Sequence, residues 1–193
     1  MQPGAVARRW GGMRRLVSLL CTALPLVACS PAPSPTPSVP ELASGTVSGH
    51  GLTLSVTAQP VVVAADQPIS VEAVVTNDGA EPIVLSGSGS GFVFFSVTRV
   101  EDGLTSGEPV MTDDCAPHVL QPGEPVVVPF AKSGAWTEDD PNAAFLRTYF
   151  ADPELTLPSG TWRIDVSTAA TIGEGCVGPQ LDLALTLPVT VTE

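Results

Sequence analysis

The side chains best suited to chemistry fall in three short stretches. Asp113-Asp114-Cys115-Ala116-Pro117-His118 places two carboxylates, a sulfur and an imidazole within six residues, a donor set that a transition metal accepts. A metal site needs three or four converging ligands, and the only other histidine is His50. The plainer reading is an acidic loop. Glu138-Asp139-Asp140-Pro141-Asn142 offers oxygen ligands to calcium but lacks the spaced D-x-D-x-D-G pattern that wraps one ion, so it reads as a solvated acidic turn. Ser86-Gly87-Ser88-Gly89-Ser90-Gly91 has the composition of a nucleophile loop. The G-x-S-x-G elbow needs glycine two residues to each side of the serine, and neither Ser88 nor Ser90 has that register. No Lys-Ser or Lys-Thr follows to make a phosphate loop. The expectation is a flexible connection between strands. Paired acids for glycoside chemistry would suit so acidic a chain, yet no spacing selects a pair.

The four cysteines divide by position. Cys21 and Cys29 lie in the first 29 residues, and Cys115 and Cys176 lie in the body of the chain. Arg8, Arg9, Arg14 and Arg15 precede the apolar run Leu16 to Ala28, and no acidic residue occurs before Glu41. This is the charge order of a secretory signal. The run is 13 residues long and contains Pro25, too short for the roughly 20 helical residues that span a bilayer. It ends in Leu26-Val27-Ala28-Cys29, which resembles the bacterial lipobox. That resemblance implies cleavage before Cys29 and attachment of lipid to its thiol, so the protein is expected at the cell membrane, anchored on the extracytoplasmic side. Ser30 to Pro40 carries proline at nearly every second position and reads as an extended polyproline stalk. The domain division expected is a signal peptide over 1–28, a lipidated cysteine and linker over 29–48, and one globular domain over 49–193. In an oxidising compartment the remaining pair, Cys115 and Cys176, is expected to form one disulfide joining loops.

Behind the leader, all 20 acidic residues stand against Arg99, Lys132, Arg147 and Arg163, a formal charge of −16. Such a domain repels nucleic acid, whose binding needs clustered Lys and Arg. It favours a cationic partner.

The elements that must position these residues are strands. From Gly51 onward the apolar residues alternate with a period of two between Gly- and Pro-rich turns. Leu52, Leu54, Val56 and Ala58 alternate with Thr53, Ser55 and Thr57; Trp162, Ile164 and Val166 alternate with Arg163, Asp165 and Ser167. Leu181 to Val191 forms the longest alternating set. Val71 to Thr76 and Pro82 to Leu85, separated by Asn77-Asp78-Gly79, read as a hairpin. Phe92 to Val97 is apolar on both faces and suits an interior strand. Ala143 to Phe150 reads as a helical turn or a further strand. The fold class expected is all-β, an immunoglobulin-like antiparallel sandwich of about seven or eight strands.

Val74-Val75-Thr76-Asn77-Asp78-Gly79, Phe92-Val93-Phe94-Phe95, Leu120-Gln121-Pro122-Gly123-Glu124 and Leu157-Pro158-Ser159-Gly160-Thr161-Trp162 follow one another in an order that resembles the bacterial intracellular proteinase inhibitor (BsuPI-like) family of small β-sandwich domains. The resemblance spans about Ile69 to Thr168 and implies the fold first, and proteinase inhibition second. It carries over no inhibitory residue. The functional expectation is a noncatalytic lipoprotein module that needs no cofactor or metal. It would bind a protein, peptide or cell-envelope component through loops containing Ser88, Ser90, Asp113, Asp114, Glu138, Asp139 and Asp140. The competing expectation is a secreted hydrolase or metal-binding protein on a sandwich scaffold.

Overall fold

A computed structural model describes residues 41–193. The expected signal peptide, Cys29 as the expected lipidation site and the proline-rich stretch to Pro40 lie outside the described residues. The strands are β1 (Ala43–Gly49), β2 (Leu52–Gln59), β3 (Val62–Ala64), β4 (Ser70–Asn77), β5 (Ile83–Gly87), β6 (Val93–Arg99), β7 (Ala116–Leu120) and β8 (Pro125–Pro129). The helix α1 (Ala143–Ala151) precedes β9 (Gly160–Thr168), β10 (Ala170–Ile172), β11 (Gln180–Leu181) and β12 (Ala184–Thr192).

The strands hydrogen-bond in three ladders, ordered β1-β2-β4-β8, β3-β12-β9-β6 and β11-β10-β5-β7. All pairings are antiparallel except that of β3 with β12. Together they make an all-β sandwich. The alternation read from the sequence is the alternation of burial. Leu52, Leu54, Val56 and Ala58 of β2, Ala73 and Val75 of β4, and Trp162, Ile164 and Val166 of β9 have no exposed surface. The hydroxylated residues between them face outward. Trp162 is accommodated because its indole N–H donates to the Pro158 carbonyl at 2.9 Å, so no polar atom is left unpaired in the core.

Several local expectations differ from the structure. There are twelve strands among the described residues instead of seven or eight, because β3, β10 and β11 are two or three residues long and too short to show a period. Strand β1 occupies ground expected to be linker. Its inward residues Ala43, Gly45 and Val47 are small, and its pairing with β2 depends on the turn His50-Gly51, at φ 56° and 74°. Two left-handed residues between antiparallel strands form the tight hairpin turn that matches strand twist.

Asn77-Asp78-Gly79 does not close a hairpin. Strand β4 pairs with β2 and β8, while β5 pairs with β10 and β7, so this turn carries the chain from one ladder to another. Buried Asn77 holds the crossing: its amide N donates to the carbonyls of Glu81 and Leu120 at 2.8 and 3.0 Å, and its Oδ1 accepts from the Gly79 amide at 2.9 Å. An asparagine bonding its own turn two residues on is the Asx arrangement, which needs no positive φ.

Phe92 to Val97 is buried on both faces but lies at a ladder edge, not in the interior. The segment after it closes that edge. Ser106 N donates to Val97 O at 3.0 Å and Arg99 N to Leu104 O at 2.7 Å, while Ser106 Oγ accepts from Val97 N at 3.0 Å. Ala143 to Ala151 is a helix, with Leu146 and Tyr149 buried on one side.

Candidate functional site

Three loops converge on an open cleft of about 350 Å³, lined among others by Ser86, Ser88, Met111, Asp113 and both half-cystines. Cys115 and Cys176 are joined, with Cα atoms 5.7 Å apart. The bridge ties the Asp113–His118 segment, which runs into β7, to the loop between β10 and β11. Both cysteines adopt left-handed backbone, φ 47° and 56°, uncommon for residues with a side chain. A second tie comes from the Ser86 hydroxyl, which donates to Gly173 O at 2.6 Å.

Asp114 organises the serine-glycine loop. Its Oδ1 accepts from Gly89 N at 2.6 Å and from the Thr112 hydroxyl at 2.9 Å. Gly89 is required by close approach, since a Cβ there would overlap the Asp114 carboxylate. Ser88 Oγ contacts Ser90 Oγ at 2.6 Å and Thr112 Oγ1 at 2.9 Å, and accepts from Thr112 N at 3.0 Å. The Gly89 amide, then the Thr112 hydroxyl, hold the Asp114 carboxyl below its ordinary pKa, because donors aimed at the ionised form favour it. The loop read as flexible is therefore fastened to the acidic segment by backbone and hydroxyl donors.

His118 joins the cluster through its imidazole. Its Nε2 lies 3.0 Å from the Ser88 carbonyl. A carbonyl only accepts, so Nε2 carries the proton and faces main chain, not the Ser88 hydroxyl. Cys115 is taken by the bridge and Asp114 by Gly89 and Thr112. Among the described residues no three His, Cys, Asp or Glu side chains gather as a metal site. The cleft is lined by the Asp113 carboxylate and by Met111, 51% accessible, and Val177, 77% accessible, directly follows the half-cystine Cys176.

The second acidic stretch is built into the start of α1. Glu138 pairs with Arg147, whose guanidinium also sits 5.7 Å from the Trp136 ring centre. Asp140 Oδ1 accepts from the Asn142 amide at 2.7 Å, and Asp140 O accepts from the Ala143 amide at 2.9 Å. Asp139 makes no hydrogen bond or ion pair among the described residues. No hydrogen bond or ion pair there joins this turn to the cleft.

The scarce cations are mostly occupied internally. Arg99 grips Asp102 with two bonds, 2.9 and 2.6 Å, and that guanidinium holds the Asp102 carboxyl down to about 2. Half-buried Lys132 donates to the carbonyls of Tyr149 and Asp152 at 2.5 and 2.6 Å, capping the C-terminal end of α1. Burial pushes its ammonium pKa down. Arg147 is committed to Glu138. Neither Lys132 nor Arg163 makes an ion pair among the described residues.

Sequence reasoning did not select Thr112, Met111 or Val177 for this site. The alternation of Thr112 with Asp114 is a local signal for a shared hydrogen bond, whereas nothing local marks Met111 or Val177 as exposed.

Fold and site together define a disulfide-fastened β-sandwich presenting an acidic, apolar-rimmed cleft. Comparison with protein-family models and with curated proteins gives no match. Among solved structures the chain is similar to a protein from Archaeoglobus fulgidus, with 18% identity over 79% of this chain and 97% of that chain, at a TM-score of 0.33.

Proposed function

We propose that this protein is a noncatalytic, lipid-tethered binding module on the extracytoplasmic side of the membrane. It takes a basic protein or peptide segment of the cell envelope at the acidic cleft. The observation that carries this reading is charge left uncompensated beside apolar surface. The domain bears −16, and Arg99, Lys132 and Arg147 are already engaged within the fold. Asp113 and Asp114 form no ion pair among the described residues, and exposed Met111 lines the cleft with Asp113, while exposed Val177 follows Cys176. A lysine- or arginine-bearing segment with an apolar side chain complements both features.

Anchoring through Cys29 would hold the domain at the surface on its proline-rich stalk. The BsuPI-like resemblance belongs to the same reading as a source of the sandwich, and a proteinase is one class of protein partner.

Binding of a lysine-rich amphipathic peptide to the full chain tests the assignment. Affinity should fall steeply between about 0.05 and 0.5 M salt, as the Debye length shrinks from over 10 Å to a few Å. Replacing Asp113 and Asp114 together by Asn should slow association more than it speeds release. Salt-independent binding, or unchanged association by that variant, overturns it. Cys29→Ala should shift the protein from the membrane to the soluble exported fraction or block its processing; normal processing with retained membrane attachment overturns the anchor.

A further inference from the structure

We infer that β1 is a pairing edge for a second copy of this chain, joined antiparallel through Ala43–Gly49. The other ladder edges are protected. Strand β8 begins and ends in proline, β7 contains Pro117, β3 and β11 are three and two residues long, and β6 is covered by Leu104 to Ser106. Proline, brevity and covering segments are the devices that keep sheet edges from pairing. Strand β1 has none of them. Its seven residues, Ala-Ser-Gly-Thr-Val-Ser-Gly, include no proline and no charge. They pair with β2 on one side, and no backbone hydrogen bond among the described residues reaches the other side.

The occupant follows from charge and symmetry. Ser44, Thr46 and Ser48 are exposed and stand opposite Thr57, Ser55 and Thr53 of β2, with hydroxyl contacts of 3.2 Å for Thr46–Ser55 and 2.7 Å for Ser48–Thr53. An identical strand laid antiparallel about Thr46 sets Thr46 opposite Thr46 of the second copy and Ser44 opposite its Ser48. The hydroxyl rows then continue across the seam, a favourable class of cross-strand pair. A two-fold contact of this kind is self-complementary and closes at two copies. In a domain of charge −16 this strand brings no like charges together. Seven residues run only about 24 Å, so the buried area falls below that of a stable complex and the dimer is weak.

The inference is independent of the cationic partner proposed above, and its salt dependence has the opposite sign. Sedimentation of the full chain carrying Cys29→Ser should show apparent mass rising from one copy toward two between about 10 µM and 1 mM, the range of a small interface. The rise should be larger at about 0.5 M than at 0.05 M salt, because screening relieves repulsion between the two anionic domains. Thr46→Lys and Thr46→Asp, each alone, should remain monomeric, because each sets like charges face to face. An equimolar mixture of the two variants should recover a dimer containing one of each. That recovery also excludes misfolding as the cause of the single losses. A monomer at every concentration and salt overturns the inference, as does dimerisation unaffected by both substitutions, or a mixture that stays monomeric. Loss of peptide binding with the dimer intact counts against the cleft alone.

Discussion

At Glu138 to Asn142 one carboxylate is neutralised within the fold, Glu138 by Arg147, while Asp140 is held by the Asn142 amide and Asp139 has no partner among the described residues. At Asp113 and Asp114, acidic density is similar, but the only hydrogen-bond partners among the described residues are a backbone amide and a hydroxyl, both on Asp114. A guanidinium cancels charge, whereas an N–H or O–H donor fixes a carboxylate's position and leaves its charge in place. The first stretch starts a helix. The second presents oriented negative charge beside a cleft, and composition alone did not distinguish them.

The disulfide gives the comparison its largest test, because it fastens only the second stretch. Replacing Cys115 and Cys176 together by Ser opens a closed loop spanning a separation of 61 residues. The expected destabilisation is up to about 4 kcal/mol in the chain-entropy model, read from the urea midpoint at constant m. Amide exchange should accelerate around Gly89 and Gly173 and stay unchanged in α1. Equal acceleration in both places would erase the distinction between the two stretches.

Asp114 gives an intermediate effect. Its folded pKa lies below the unfolded value, so its contribution is complete above the ordinary carboxylate range near about 4 and is lost as pH falls through the depressed value. The Gly89 amide resonance should titrate in that acid window, and Asp114→Asn should abolish the titration while leaving the Trp162 environment unchanged. A Gly89 resonance that is flat in the unsubstituted protein would mean the carboxylate does not hold the loop.

The smallest effect is expected at the first stretch. Arg147→Ala removes an exposed pair, with side chains 62% and 72% accessible, and should cost under about 1 kcal/mol. It should also free Glu138, so association of a cationic peptide should quicken with little change in thermal midpoint. A slower association would show that Arg147 contributes contact to the partner instead of masking charge.

The legible parts of the fold were those where one face alternates cleanly with the other. Strands β2, β9 and β12 have apolar residues at every second position, and burial follows that period. Strand β1 escaped because Ala43 and Gly45 bury little surface and raise no apolar signal. The turn after Asn77 resembled a hairpin because its residues suit either a hairpin or a crossing, and ladder choice depends on partners remote in sequence. Of the site, the Cys115–Cys176 bridge was readable from counting the thiols in the body of the chain. The fastening of Gly89 by Asp114, 25 residues away, was not, since no local pattern records a long-range hydrogen bond.

The sequence by itself determined the strand-rich class, the excess of negative charge and the pairing of two cysteines, because periodicity, charge and thiol count are local or additive properties. Only the tertiary structure decided which ladder each strand joined, which acidic residue gained a cationic partner, and which edge stayed open. Those outcomes depend on how segments dozens of residues apart share a limited set of donors, cations and neighbouring strands, and that competition is settled only when the chain is folded.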